Sequence, residues 1–158
     1  FHHPVYSAAK SRDNEEVREL WQPIFDKYGV DLVLNGHDHT YARSNLVTGA
    51  GARSPGGTMY VVSVSGPKMY KGNSEDWMRQ SGSNVQLVQI IRIDGGRLTF
   101  EARTVTGRLF DAFELRKREG MANLLVNRVP VEQIEQAETG LPVSGGGDGG
   151  AVEAPAAR

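Results

Sequence analysis

The 158-residue chain contains no cysteine. That excludes a disulfide framework and any thiolate metal site, and it is compatible with any compartment. Long apolar runs are also missing. No stretch approaches the roughly 18–20 apolar residues of a membrane span. Charge of one sign is not in excess: 18 Lys and Arg face 19 Asp and Glu, for a formal net charge of −1. No global basic field exists to gather nucleic acid or an anionic membrane surface. No secretory leader is visible. The length suits one domain, and the 39% apolar content is ordinary for a globular chain. Histidine is scarce, with only four, and all fall in two tight clusters: His2 and His3, then His37 and His39.

The second cluster sits in Asn-Gly-His-Asp-His-Thr-Tyr-Ala-Arg at 35–43. It follows an apolar run at 30–34 that reads as a short buried strand. In an extended segment residues i and i+2 share a face, roughly 6–7 Å apart. His37 and His39 are then expected to aim two imidazoles into one space. One metal accepts both, or two metals about 3.5–4 Å apart take one each. Gly36 is expected to clear the way where backbone passes close to whatever the histidines hold. Imidazole is the commonest side-chain metal ligand, and a strand ending in a chemistry-bearing loop is where open α/β sheets place their sites.

These residues carry a resemblance. The stretch at 35–43 resembles the GHxH motif of the calcineurin-like metallophosphoesterases, in the form seen in purple acid phosphatase-like members. Phe-His-His-Pro-Val-Tyr-Ser at 1–7 resembles the preceding family motif, a strand ending in a histidine followed by x-Pro. The likeness runs from residue 1 to about 117. It implies an α/β fold: the C-terminal half of the α/β/β/α sandwich of that superfamily, ending in an antiparallel β meander. It implies a metal-dependent phosphoester hydrolase in which a dinuclear centre of Fe, Zn or Mn activates water for attack on phosphorus. It puts His2 and His37 on one metal and His39 on the other, with a small phosphate ester as substrate. His3 is expected to point elsewhere, as a supporting or surface residue. The family's remaining ligands, and the histidine that often protonates the leaving group, come from earlier motifs that this chain does not contain. The chain therefore reads as the C-terminal part of a longer enzyme, inactive or nearly so by itself, with sheet edges and one apolar face exposed. Alternatives within the resemblance are a phosphodiesterase or nucleotidase, and a non-catalytic degenerate member acting as a binding protein. Many bacterial relatives are exported; oligomeric state and compartment stay open.

The loop at 7–12 departs from the family pattern. Several purple acid phosphatases place a phosphate-contacting histidine there; this chain has Ser11 between Lys10 and Arg12. Arg12 offers a planar fork and Lys10 a point charge for phosphate oxygens. A solvated loop ahead of a helix is the plainer alternative.

The rest of the chain reads as scaffold. Residues 13–28 form a helix with Val17, Leu20, Trp21, Ile24, Phe25 and Tyr28 on one stripe, with Trp21 and Phe25 in the core. Asp13 and Glu16 resemble a capping box, Pro23 is expected to kink or split the helix, and Gly29 to end it. Helix into parallel strand is half of a βαβ crossover. Asp38, between the two ligands, is expected to face away and form hydrogen bonds. Tyr41 and Arg43 are structural or shape the rim. Residues 48–58 read as a mobile loop and 59–66 as a strand; 68–83 cannot be assigned. Strands at 85–93, 97–105 and 109–115 make the meander, which carries no obvious chemistry. Arg116, Lys117 and Arg118 read as solvated. Beyond the domain at 1–117, an extension at 118–139 holds a short helix at 131–137, and a Gly- and Ala-rich tail fills 140–158.

Overall fold

A computed structural model describes residues 1–49 and 56–129. The expected helix at 131–137, the tail at 140–158 and most of the loop at 48–58 lie outside the described residues. Within them one helix and eight strands follow in order: α1 (Glu15–Tyr28), β1 (Leu32–Asn35), β2 (Tyr41–Val47), β3 (Thr58–Val62), β4 (Met78–Gly82), β5 (Leu87–Asp94), β6 (Arg97–Thr104), β7 (Leu109–Arg118) and β8 (Met121–Asn127). Two four-stranded sheets result. The first runs β1-β3-β2-β4, with β1 parallel to β3 and the other pairs antiparallel. The second is the antiparallel meander β5-β6-β7-β8. The mixed α/β class and the closing meander are as the sequence predicts. The meander has one strand more than predicted, because β8 pairs with β7 through the turn at Gly120, where φ is +64°.

The layers follow from which faces are apolar. Met59, Val61, Leu87, Phe100, Phe113 and Leu115 point between the two sheets and are buried. On the opposite face of the first sheet Val5, Val33, Val47 and Tyr60 meet Val17 and Phe25 of α1. The order is helix, sheet, sheet. The helix departs from its expected start. Its N-cap is Asn14, without a side-chain cap hydrogen bond. Asp13 instead takes both guanidinium nitrogens of Arg18, at 2.7 and 2.9 Å. Pro23 does not split α1 into two elements. Pro23 and Glu19, whose carbonyl loses its donor, are both exposed, so water takes that carbonyl. Gly29 closes the helix in the left-handed conformation, φ +61°.

The predicted apolar stripe of α1 is only half covered. Leu20 is 63% exposed and Tyr28 72%, with Trp21 and Ile24 also open to solvent. Trp21 stacks on Phe1 and Phe25 at 5.4 and 5.9 Å and is not the core residue the sequence suggests. The uncovered apolar face lies on α1; the first sheet, expected to bare one face, packs on α1 on one side and on the meander on the other. Leu34 of β1, an edge strand, is also exposed, on the face opposite α1.

A second polar feature lies on the outer face of the meander. Glu114 is enclosed by Arg97, Arg116 and Arg128, at 2.8, 2.5 and 2.6 Å. Hydrogen bonds from Arg116, then Arg128 and Arg97, lower its carboxyl to about 2. A folded-state value below the unfolded one stabilises the fold above the ordinary carboxylate range, near 4.3. That contribution fades as pH falls from there through about 2. In urea titrations the midpoint of Glu114→Gln should therefore lie below that of the parent chain at pH 6, and the gap should close by pH 2. A gap unchanged with pH would show that this carboxylate adds nothing through its charge.

Candidate functional site

The site forms where the N-terminal segment meets the end of β1. Asn35 donates its side-chain amide to the Phe1 carbonyl at 2.9 Å, and the Gly36 N–H reaches the His2 carbonyl at 3.2 Å. These two bonds bring the separate histidine clusters together. The rings of His2 and His37 lie 5.0 Å apart in an edge-to-face arrangement. His3 joins them, at 4.0 Å from His37 and 5.4 Å from His2. The expectation that His3 points elsewhere is thus corrected. Pro4, directly after the pair, is buried.

The H-x-H geometry is not that of a strand. β1 stops at Asn35 and β2 starts at Tyr41. Between them the chain turns, with the Asp38 N–H on the Gly36 carbonyl at 2.9 Å. His37 and His39 both take left-handed backbone conformations, φ +72° and +49°. Alternation, which needs extended backbone, no longer applies. His39 packs on Tyr70 at 4.7 Å, and its Nδ1 meets the Lys68 carbonyl at 2.8 Å. Its described ring contact is with Tyr70, whereas His37 sits among the other histidines. Left-handed φ on ordinary side chains costs roughly 1–2 kcal/mol each, and Ser11, at φ +60°, is another nearby case. Such strain gathers at functional sites. Gly36 is less pressed than expected: a β-carbon there would meet the His2 ring at an ordinary 3.7 Å.

Asp38 is fully buried and forms hydrogen bonds, as its position suggests. Its Oδ2 accepts the Ser7 hydroxyl at 2.8 Å and the Ala8 N–H at 2.6 Å. The loop at 7–12 is thereby pinned to the turn. It delivers Arg12, whose Nη2 contacts His37 Nε2, whose Nε lies 3.8 Å from Asp38 Oδ1, and whose guanidinium lies 4.8 Å from the Tyr70 ring centre. On its other side Arg12 lines a cavity of about 480 Å³ with Tyr6, Ser11, Arg18, Glu75 and Trp77. Lys10 is exposed, and its backbone N–H goes to the Lys71 carbonyl at 3.2 Å. Of the two candidate phosphate contacts, Arg12 reaches the histidines. Desolvation first, then the Arg12 cation and His3, push the His37 imidazole below its ordinary value.

Three imidazoles and a guanidinium thus converge. The donor set still falls short of a metal centre. Among the described residues no three His, Asp or Glu side chains stand so as to hold one ion. His39 is held through Nδ1 by the Lys68 carbonyl, which leaves its Nε2 free, and His37 Nε2 is met by the Arg12 guanidinium. As the side chains stand, the residues do not fit a bound metal. His3, Lys68 and Tyr70 are the participants that sequence reasoning missed. Nothing in the spacing of 68–83 marks Tyr70; its approach follows from a backbone bond, Tyr70 N–H to the His39 carbonyl at 3.3 Å.

No protein-family model matches the chain. Individual proteins do. An uncharacterised protein of Mycobacterium tuberculosis is 41% identical over 51 residues, 31% of this chain and 10% of its own length. Purple acid phosphatase 17 of Arabidopsis thaliana is 33% identical over 78 residues, 44% of this chain and 23% of the relative. An acid phosphatase of Aspergillus ficuum is 48% identical over 42 residues, 27% of this chain and 7% of the relative. The chain therefore spans less than a quarter of the length of each of these relatives. Among solved structures, the purple acid phosphatase PPD1 from yellow lupin seeds superposes with a TM-score of 0.60 at 18% identity, over 93% of this chain and 27% of that one. At that identity the match speaks for the fold. No helix among the described residues is long and apolar enough to cross a membrane.

Proposed function

We propose that this chain, a metallophosphoesterase of the purple acid phosphatase-like branch, serves the hydrolysis of phosphate esters, phosphomonoesters first. One observation carries the reading. Two histidine motifs far apart in sequence are brought ring to ring at 5.0 Å, with an arginine suited to phosphate beside them. The finer reading follows the resemblance. His2 and His37 would serve one ion and His39 a second, of Fe, Zn or Mn, with the remaining ligands supplied by residues outside this chain. Metals of this kind, when bound, provide an activated water and neutralise phosphate charge. The present donor set does not itself support that centre. What this chain's own residues offer is recognition. Arg12 presents a planar fork to phosphate oxygens beside the histidines, and Lys10, in the same exposed loop, adds charge at longer range.

The test uses the natural polypeptide that carries these residues. His2→Ala and His37→Ala should each reduce hydrolysis of p-nitrophenyl phosphate by on the order of 100-fold and reduce bound metal per chain. Bis-p-nitrophenyl phosphate should turn over more slowly than the monoester in the parent. Full turnover with unchanged metal content in both variants would remove the assignment.

A further inference from the structure

The stretch at 68–83, which the sequence leaves unassigned, carries Trp77. The fold sets this residue against Tyr6 of the N-terminal loop, with ring centres 5.5 Å apart and planes inclined at 44°. Both rings are half-buried, and together they form one aromatic wall of the 480 Å³ cavity that Arg12 also lines. That volume falls in the usual range for small-molecule sites, roughly 300–1,000 Å³. Such sites pair an apolar lining with a few placed polar groups.

The walls are fixed by the chain itself. Ala9 and Gly72 form an antiparallel bridge. The Asn73 N–H donates to the Ala8 carbonyl at 2.9 Å, and the Lys10 N–H to the Lys71 carbonyl at 3.2 Å. From the other direction Asp38 holds Ser7 and Ala8. The turn that presents Trp77 is closed by the Met78 N–H on the Glu75 carbonyl at 3.0 Å. Behind it the indole packs on the buried cluster of Ala8, Ala42 and Val62. Little ordering remains to be done on binding, so contacts made here are not spent on fixing loops.

Two guanidinium groups line the cavity, and they differ in what they have left to give. Arg18 is neutralised, donating to both oxygens of Asp13 at 2.7 and 2.9 Å. Arg12 stands 3.8 Å from Asp38 Oδ1, beyond hydrogen-bond distance, with its face 4.8 Å from the Tyr70 ring centre. No carboxylate among the described residues accepts a hydrogen bond from Arg12, so its fork can serve an anion. Arg12 is also the shared wall between this cavity and the histidine cluster. A phosphate on its fork has the histidines on one side and the aromatic wall on the other.

We propose that this cavity is the leaving-group subsite: it takes the alcohol portion of the ester as a flat aromatic ring against Tyr6 and Trp77, with the phosphate at Arg12. The favoured substrates are then aryl phosphate monoesters. An alkyl group covers the wall but makes no ring-on-ring contact. This deepens the proposed function and rests on it.

The experiment uses the natural polypeptide that carries these residues, as parent, Trp77→Leu and Trp77→Phe. Leucine keeps the apolar filling over Ala8, Ala42 and Val62 and removes the ring; phenylalanine restores a ring. Turnover of phenyl phosphate is compared with that of ethyl phosphate, and the difference in leaving-group reactivity cancels between variants. The aryl-to-alkyl ratio of kcat/KM should fall roughly 5–10-fold in Trp77→Leu, the usual worth of an aromatic pair, and recover in Trp77→Phe. Calorimetry with phenylphosphonate and ethylphosphonate, which have no ester bond to break, should show the same loss of preference. Arg12→Met should weaken both phosphonates alike. A ratio and a phosphonate preference that do not move in Trp77→Leu overturn the subsite while leaving the hydrolase reading standing, and so does an equal loss on both esters, the mark of a structural role. A parent that hydrolyses neither ester, yet prefers phenylphosphonate through Trp77, overturns the hydrolase reading and leaves the cavity as a site for a ring joined to a phosphate-like anion.

Discussion

Asp111→Ala should cost about 3–5 kcal/mol of folding stability, the usual penalty for stranding one member of a buried ion pair. The Asp111 carboxylate of β7 lies between the sheets with no solvent exposure. Arg43 of β2 binds it through Nε at 2.6 Å and Nη2 at 3.0 Å, and the Tyr41 hydroxyl donates to it at 2.6 Å. The guanidinium lies 5.0 Å from the Phe113 ring centre. Burial, and then the Asp111 charge, hold the Tyr41 hydroxyl well above its ordinary value, so it remains a donor at any working pH. Removing the carboxylate leaves a buried cation with only a long bond to the Ser44 carbonyl, at 3.4 Å, and a buried hydroxyl without its acceptor. Typical domains have only about 5–15 kcal/mol to lose, and β2 emerges directly from the histidine turn. Urea denaturation should show a large fall in midpoint for Asp111→Ala. The double variant Arg43→Met with Asp111→Leu should recover much of the loss, because no charge is then left unpaired. A loss below 1 kcal/mol for the single variant would mean that the pair is wetter than its burial indicates.

This pair also marks the boundary of what the sequence could convey. Arg43 sits at the end of the most informative motif in the chain, and composition offers two readings, rim or structure. The choice depends on Asp111, which lies in a strand whose own pattern shows only an acidic residue at a polar position. Pairing across two sheets is not periodic and leaves no local trace. The elements that were legible are those held by local chemistry: the 3.6-residue stripe of α1, Gly29 as its stop, and the Asp-Gly-Gly turn between β5 and β6. β8 escaped notice because Met-Ala-Asn-Leu-Leu-Val-Asn alternates weakly, and most of its support comes from pairing with β7. At the site, His2 and His37 were legible as a pair because two motifs named them. The expectation that His37 and His39 face one space rested on alternation, which presumes extended backbone. In a turn with two left-handed histidines His39 packs on Tyr70, and bonds from the Asn35 side chain to the Phe1 carbonyl and from the Gly36 N–H to the His2 carbonyl hold the two segments together.

Gly57→Ala should be the most damaging substitution among the described glycines, by about 3 kcal/mol or more, from left-handed strain and overpacking together. Gly57 has φ +98° and stands one residue before β3. A β-carbon there would fall 2.2 Å from the Val47 carbonyl oxygen and 2.4 Å from its carbon. Both are main-chain atoms of β2, so no rotamer change relieves the clash. Val47 pairs with Thr58 at that point, and separating them opens the end of the β2–β3 ladder. β3 lies between β1 and β2, the two strands that carry the histidine turn. The damage should therefore reach the site: on top of a lowered urea midpoint, the side-chain ¹⁵N signals of His37 should broaden or shift. Two neighbours serve as controls. Gly56 also has positive φ, +88°, but among the described residues its β-carbon would meet the Ala122 methyl at 3.3 Å and its Cα at 4.0 Å. Gly36 has ordinary clearance from the His2 ring. The order of loss should be Gly57→Ala, then Gly56→Ala, then Gly36→Ala. Parity of the first two would show that dihedral strain alone sets the cost and that the approach of β2 to β3 is looser than 2.2 Å to a β-carbon implies. A Gly36→Ala variant as unstable as Gly57→Ala would instead place the tight point at the histidines, where the close passage of backbone was first expected from the sequence.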